Sequence, residues 1–259
     1  LVARLAGELD AAGRAGRVDA QAVAALDDAL VATLQALGGD SETTHGAESG
    51  GISDRDMARM LTHALRTNEF ALAYQPQFDR EGAAIVGLEA LIRWTPRDGD
   101  PIRPDVFIPA AERSGLIANI TEWVVAQAMK ETVGLSGVSV AVNASAAEFG
   151  SDRFFQLVTR TLETTGFDPA RLEIEITETA IIQNEEQVRA TMDRLKALGV
   201  RVALDDFGAG YSSLSHLLRF PFDKLKIDKS FIDTCTGSVR SAAVVHGVVG
   251  IGRALGMKV

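Results

Sequence analysis

From residue 53 onward the chain switches repeatedly between two spacings of apolar residues, one near 3.6 and one of 2. Behind Ser53, a residue suited to capping, Met57, Met60, Leu61, Ala64 and Leu65 recur at helical intervals and predict a helix ending near Asn68. Short apolar or alternating runs predict strands at about 70–78, 84–94, 138–144, 172–177, 201–206 and 223–228. Helical patterns at about 104–113, 119–132, 151–165, 185–198, 211–218 and 239–255 fall between most of them. Strands alternating with helices predict an α/β fold with a parallel sheet, and a (β/α) barrel of about 250 residues fits as one unit.

Residues 1–37 differ in texture. Val23, Leu26, Leu30 and Leu34 are spaced as on a helix, so this stretch is expected to be a helical connector or the tail of an upstream domain. The small, polar run at 38–52 is expected to be a flexible linker, and 53–259 the main domain. Leu1 is not a methionine, and Met257-Lys258-Val259 reads as the opening of a further strand. Both ends therefore look cut, and the barrel is expected to lack its final strand or strands.

Within the strands, parity carries the information. In 172–177, Leu172, Ile174 and Ile176 point one way while Glu173, Glu175 and Thr177 point the other. A parallel strand covered on both faces should be almost continuously apolar, so carboxylates on one face near a strand end need a reason. Gly87, Glu89, Leu91 and Arg93 likewise share a face, Asn143 opposes Val142, Asp205-Asp206 follow Leu204, and Lys226 shares its face with Lys224 and Asp228. Active sites of such barrels sit at the C-terminal ends of the strands, so Glu89, Asn143, Glu175, Asp205 and Asp206 should converge on one mouth.

Composition narrows what that mouth can do. The 259 residues carry a net charge of −9, which argues against a partner bound by broad phosphate neutralisation, and so against a nucleic-acid polymer. Cys235 is the only cysteine, which excludes an intrachain disulfide or a thiolate metal cluster. No apolar run is long enough to span a membrane and no signal core is visible, so a cytoplasmic location without membrane contact by this domain is expected. Crowded carboxylates repel one another unless cations compensate. Oxygen donors of this kind suit Mg²⁺ or Mn²⁺, and two ions can serve an in-line displacement at phosphorus. Arg93 could then hold a phosphate, and Lys226 could stabilise developing charge or steer water. A Schiff base on Lys226 is disfavoured, because acidic neighbours keep its amine protonated.

Taken in order, these residues resemble the EAL-domain cyclic di-GMP phosphodiesterases. The resemblance rests on Tyr74-Gln75-Pro76, Glu89-Ala90-Leu91 with Arg93-Trp94, Phe107 to Glu112, and Asn143-Ala144-Ser145. It continues through Glu175-Ile176-Thr177-Glu178, Asp205 to Leu214, and Leu225-Lys226-Ile227-Asp228. It implies a TIM-like barrel in which Glu89, Asn143, Glu175 and Asp205 bind one metal ion and Asp205 and Asp206 reach a second. Lys226 would contact the catalytic water or the metal site, Glu178 would brace the loop from Asp206 to Ser213, and Gln75 and Arg93 would contact substrate. The implied reaction is hydrolysis of cyclic di-GMP to linear pGpG, with a homodimer joined through 211–220; a receptor that binds the dinucleotide without cutting it is the alternative. Gln77 and Ala209 depart from the usual pattern, Gln77 being expected to affect only local contacts. The segment that would carry a further glutamate of the site is expected to follow Val259.

Overall fold

The structure, a computed structural model, describes residues 52–208 and 214–259. The helix expected within 1–37, the linker up to residue 51 and residues 211–213 of the expected helix 211–218 lie outside the described residues. The chain enters through α1 (Asp54–Thr67), where Ser53 Oγ accepts from the Asp56 amide at 3.1 Å and Asn68 ends the helix with φ at 55°. Then follow β1 (Phe70–Phe78), β2 (Ile85–Trp94), α2 (Pro104–Arg113), α3 (Ile117–Thr132), β3 (Ser139–Asn143), α4 (Ala146–Phe149) and α5 (Asp152–Thr165). A 3-10 turn (Pro169–Arg171) leads into β4 (Leu172–Thr177), α6 (Glu178–Gln183), α7 (Glu185–Ala197) and β5 (Arg201–Phe207). The described chain ends with α8 (Leu214–Arg219), β6 (Lys224–Ile227), α9 (Lys229–Thr234) and α10 (Val239–Ala254).

The six strands form one sheet in chain order, parallel from β2 to β6. The first pair departs from the expected alternation: β1 and β2 are antiparallel, in register from Phe70 opposite Trp94 to Gln75 opposite Glu89. No helix lies between them, and a short connection can join only antiparallel neighbours. The short helices α4, α6 and α9 leave no mark in the periodicity, because four to six residues are too few to establish a 3.6 repeat.

The sheet is rolled. Lys226 on β6 hydrogen bonds Glu89 on β2 at 3.1 Å, although four strand spacings of a flat sheet would separate them by ~19 Å. Lys224 reaches Gln77 on β1 at 3.0 Å. This is a TIM-like barrel whose sheet is not closed among the described residues. Beyond β6, Lys258 makes an isolated parallel bridge to Lys224, at the place where a further strand is expected to open.

The rolling divides the strand residues into two sets. Val140, Val142, Leu172, Ile174, Ile176, Val202, Leu204 and Leu225 face outward and are fully buried beneath the helices, where the main hydrophobic core lies. The inward set is largely polar, and is stacked in layers along the barrel axis. Among the described residues no helix is long and apolar enough to cross a membrane.

Candidate metal and phosphate site

The upper inward layer is the carboxylate cluster. One oxygen from each of Glu89 on β2, Glu175 on β4 and Asp205 on β5 lies within 4.8 Å of the others. Their strands position them by register: Glu175 stands opposite Asn143 and Ala203, and Thr177 opposite Asp205. Asn143 at the end of β3 donates its amide to Glu89 Oε1 at 3.1 Å, which leaves its carbonyl oxygen as the atom able to meet a cation. Gln75, directly opposite Glu89 on β1, shares that residue's face.

Lys226 rises into the centre of the cluster. Its ammonium donates to Glu89 at 3.1 Å, Glu175 at 2.6 Å and Asp205 at 2.8 Å, so its three hydrogens serve three acids. Burial alone would lower the Lys226 pKa, but Glu175 and Asp205 hold it above its ordinary value. Burial pushes the Glu175 carboxyl well above the carboxylate range, and repulsion from Glu89 and Asp205 adds to this against the attraction of Lys226. One ammonium faces three acidic side chains, so the cluster keeps an excess of negative charge.

The residues present fit a divalent cation. Hard oxygen donors converge from four strands, as Mg²⁺ and Mn²⁺ require. Glu175 Oε1 is buried without a hydrogen-bond partner, a condition that is costly unless a donor or cation meets it. Asp206 stands at the rim, exposed, with φ at 53° and its amide hydrogen-bonded to Asp205 Oδ1 at 2.8 Å. Although the residue is exposed, partial desolvation of its carboxyl and the neighbouring Asp205 and Asp228 raise its pKa, so it too would gain from a cation.

The strand turns away at Gly208, whose φ of +104° is left-handed; a Cβ added there would stand 2.6 Å from the Phe231 ring. Gly→Ala at a compatible site stabilises by roughly 0.4–1 kcal/mol. Here Gly208→Ala should instead cost about 1–3 kcal/mol in urea denaturation, from backbone strain and a displaced ring.

Arg93 and Asn143 both line a cleft of about 610 Å³ beside the cluster. The Arg93 guanidinium donates to its neighbour's carbonyl, Ile92 O, at 2.9 Å. Glu178 begins α6, and its Oε1 lies 3.2 Å from His216 Nδ1 in α8, the helix after the segment 209–213. Glu185 stands 3.8 Å from the other ring nitrogen of His216 and also pairs with Arg219. Sequence reasoning does not single out His216; only its place behind the Asp205 segment could have flagged it. The nine expected site residues thus fall into a central group, Glu89, Asn143, Glu175, Asp205 and Lys226, and an outer group, Gln75, Arg93, Glu178 and Asp206.

The family model described as EAL domain matches residues 58–259. An uncharacterized signaling protein of Caulobacter vibrioides is 42% identical over 202 residues, covering 78% of this chain and 25% of that protein. The bifunctional diguanylate cyclase/cyclic di-GMP phosphodiesterase MucR of Pseudomonas aeruginosa is 35% identical over 204 residues, covering 77% of this chain and 30% of MucR. The chain thus spans about a quarter of the length of the curated relatives it matches. Among solved structures, the PaMucR phosphodiesterase in complex with c-di-GMP is similar with a TM-score of 0.73 at 34% identity, covering 78% of this chain and 83% of that one.

Proposed function

This chain belongs to the EAL domain family, and from that premise we propose that it hydrolyses one phosphodiester of cyclic di-GMP to give linear pGpG. The observation that carries the reading is the convergent triad of Glu89, Asp205 and the buried Glu175, whose charge a single ammonium does not balance. Relatives at 35% and 36% identity are named as cyclic di-GMP phosphodiesterases, which supports the substrate class.

In this reading Glu89, Asn143 Oδ1, Glu175 and Asp205 would hold one divalent ion, and Asp205 with Asp206 a second. Such ions, Mg²⁺ or Mn²⁺, supply a lowered water pKa and neutralisation of phosphoryl charge. The chain's own groups do the rest. Arg93, on the cleft wall, would hold the phosphate that is not cut, and Gln75 would add a hydrogen bond from the β1 side. Lys226 keeps its proton at Nζ and offsets the negative charge that builds as water oxygen bonds to phosphorus and the P–O3′ bond breaks. The 3′ oxygen leaves with a proton, and the phosphate stays on the 5′ side as pGpG. Glu178, through His216, would hold α8 and the segment before it against the mouth.

The test is incubation of the chain with cyclic di-GMP and Mg²⁺ or Mn²⁺, followed by chromatography. Appearance of pGpG, abolished by EDTA, is expected. Tight binding without product would replace the enzyme with the receptor reading.

A further inference from the structure

We propose that Lys224, Glu173 and Gln77 form a charge-balancing layer directly beneath the carboxylate cluster, and that they are positioning residues which set its affinity for a divalent cation. The inference rests on the metal-binding reading of that cluster. Glu173 precedes Glu175 by two residues on the same face of β4, and Lys224 precedes Lys226 by two on β6, so the lower layer lies ~7 Å below the upper one. Lys224 Nζ donates to Glu173 Oε1 at 2.5 Å and to Gln77 Oε1 at 3.0 Å. The Glu173 side chain is 2% exposed, so its charge acts through protein rather than through water.

The layer is built around a missing side chain. A Cβ on Gly87 would stand 2.9 Å from Gln77 Oε1 and 2.8 Å from Ser139 Oγ, so glycine on β2 is what lets Gln77 turn inward from β1. Gln77 therefore does more than affect local contacts: it gives Lys224 a second acceptor across the barrel. Glu173 and Lys224 offset one another as an ion pair, and Arg201, opposite Glu173 on β5, adds a further positive charge to this level of the barrel. Removing either member places a unit charge beneath a site that would hold divalent ions, and at ~7 Å such a charge changes cation affinity by about tenfold or more, even at an effective dielectric near 20.

The two removals act in opposite directions. Lys224→Met removes the ion-pair partner of Glu173 and one positive charge from beneath the cluster, and if Lys226 tilts down toward Glu173 the upper acids lose their internal cation; either way Mn²⁺ binding should tighten about tenfold or more. Glu173→Gln keeps the volume and an acceptor for Lys224 but leaves the ammonium unopposed, so Mn²⁺ binding should weaken by a similar factor. The double variant should return to within about threefold of the parent, and Lys224→Arg should match the parent. Affinities are read by calorimetric titration with MnCl₂ and by the Mn²⁺-dependent rise in melting temperature. A purely structural brace would lower stability in every variant without moving affinity in opposite directions. Glu173→Gln is the variant least disturbing to the fold, and an affinity unchanged there overturns the inference. A parent chain that binds no Mn²⁺ would overturn the metal reading and the inference together, whereas a parent that binds and a Glu173→Gln variant that matches it would overturn the inference alone.

Discussion

Glu175→Gln should lower the rate of pGpG formation by about three orders of magnitude, the scale on which a single charge-stabilising group counts in phosphoryl transfer, while leaving the chain folded. Glu175 is wholly buried, one oxygen receives Lys226 at 2.6 Å and the other has no hydrogen-bond partner. Glutamine fills the same space and still accepts from Lys226, but brings no charge to a cation. Initial rates at saturating Mg²⁺ measure the first effect, and loss of the metal-dependent rise in melting temperature the second. A rate within tenfold of the parent would sink the assignment.

The same substitution separates function from stability. Burial and the flanking acids raise the Glu175 carboxyl from 4.5 to about 8, so the fold prefers this group neutral when no cation is added. A carboxyl raised in the folded state makes stability fall as pH rises from its unfolded value to its folded value. In EDTA the melting temperature of the parent should therefore drop relative to that of Glu175→Gln between about pH 4.5 and pH 8. A group kept despite such a cost is characteristic of sites where function and stability conflict.

Much of this cluster is legible in the sequence, because a strand has a period of two and the apolar positions are so regular. Leu172, Ile174 and Ile176 leave Glu173 and Glu175 no place except the barrel interior, and the same parity applies to Glu89 and Lys226. What parity cannot tell is which inward charges belong to which layer. Lys224 and Lys226 have the same face and the same chemistry in sequence, yet one meets Glu173 and Gln77 and the other meets the triad. That depends on the stagger between strands far apart in the chain, which register alone sets. Gln77 reads as a packing residue in the sequence for the same reason: its partner is 147 residues away. The antiparallel start of the sheet follows from the short connection between the strands expected at 70–78 and 84–94, where no helical pattern intervenes. Asp206 illustrates a local limit, since its positive φ and rim position follow from the turn before Gly208 rather than from the strand.

Trp94→Ala should be the most damaging single change to the fold, lowering the free energy of unfolding by about 3–5 kcal/mol. Trp94 closes β2, is 1% exposed, and lies 5.4 Å edge-on from Phe107 and 5.7 Å from Phe70, which in turn meets Trp123 at 5.7 Å. Its indole N–H donates to Glu69 Oε2 at 3.2 Å, so truncation empties a large volume and also leaves a carboxylate short of a donor. This aromatic group joins β1, β2, α2 and α3, the end of the barrel that carries Glu89 and Arg93. Trp94→Phe should cost less, about 1–2 kcal/mol, because the ring contacts persist and chiefly the indole hydrogen bond is lost. Urea denaturation of both variants checks the order. If the alanine variant loses less than the phenylalanine variant, ring burial is not what anchors β2. Since β2 also holds Glu89 against Lys226, the alanine variant should in addition bind Mn²⁺ more weakly even where it remains folded, an effect the phenylalanine variant should not share.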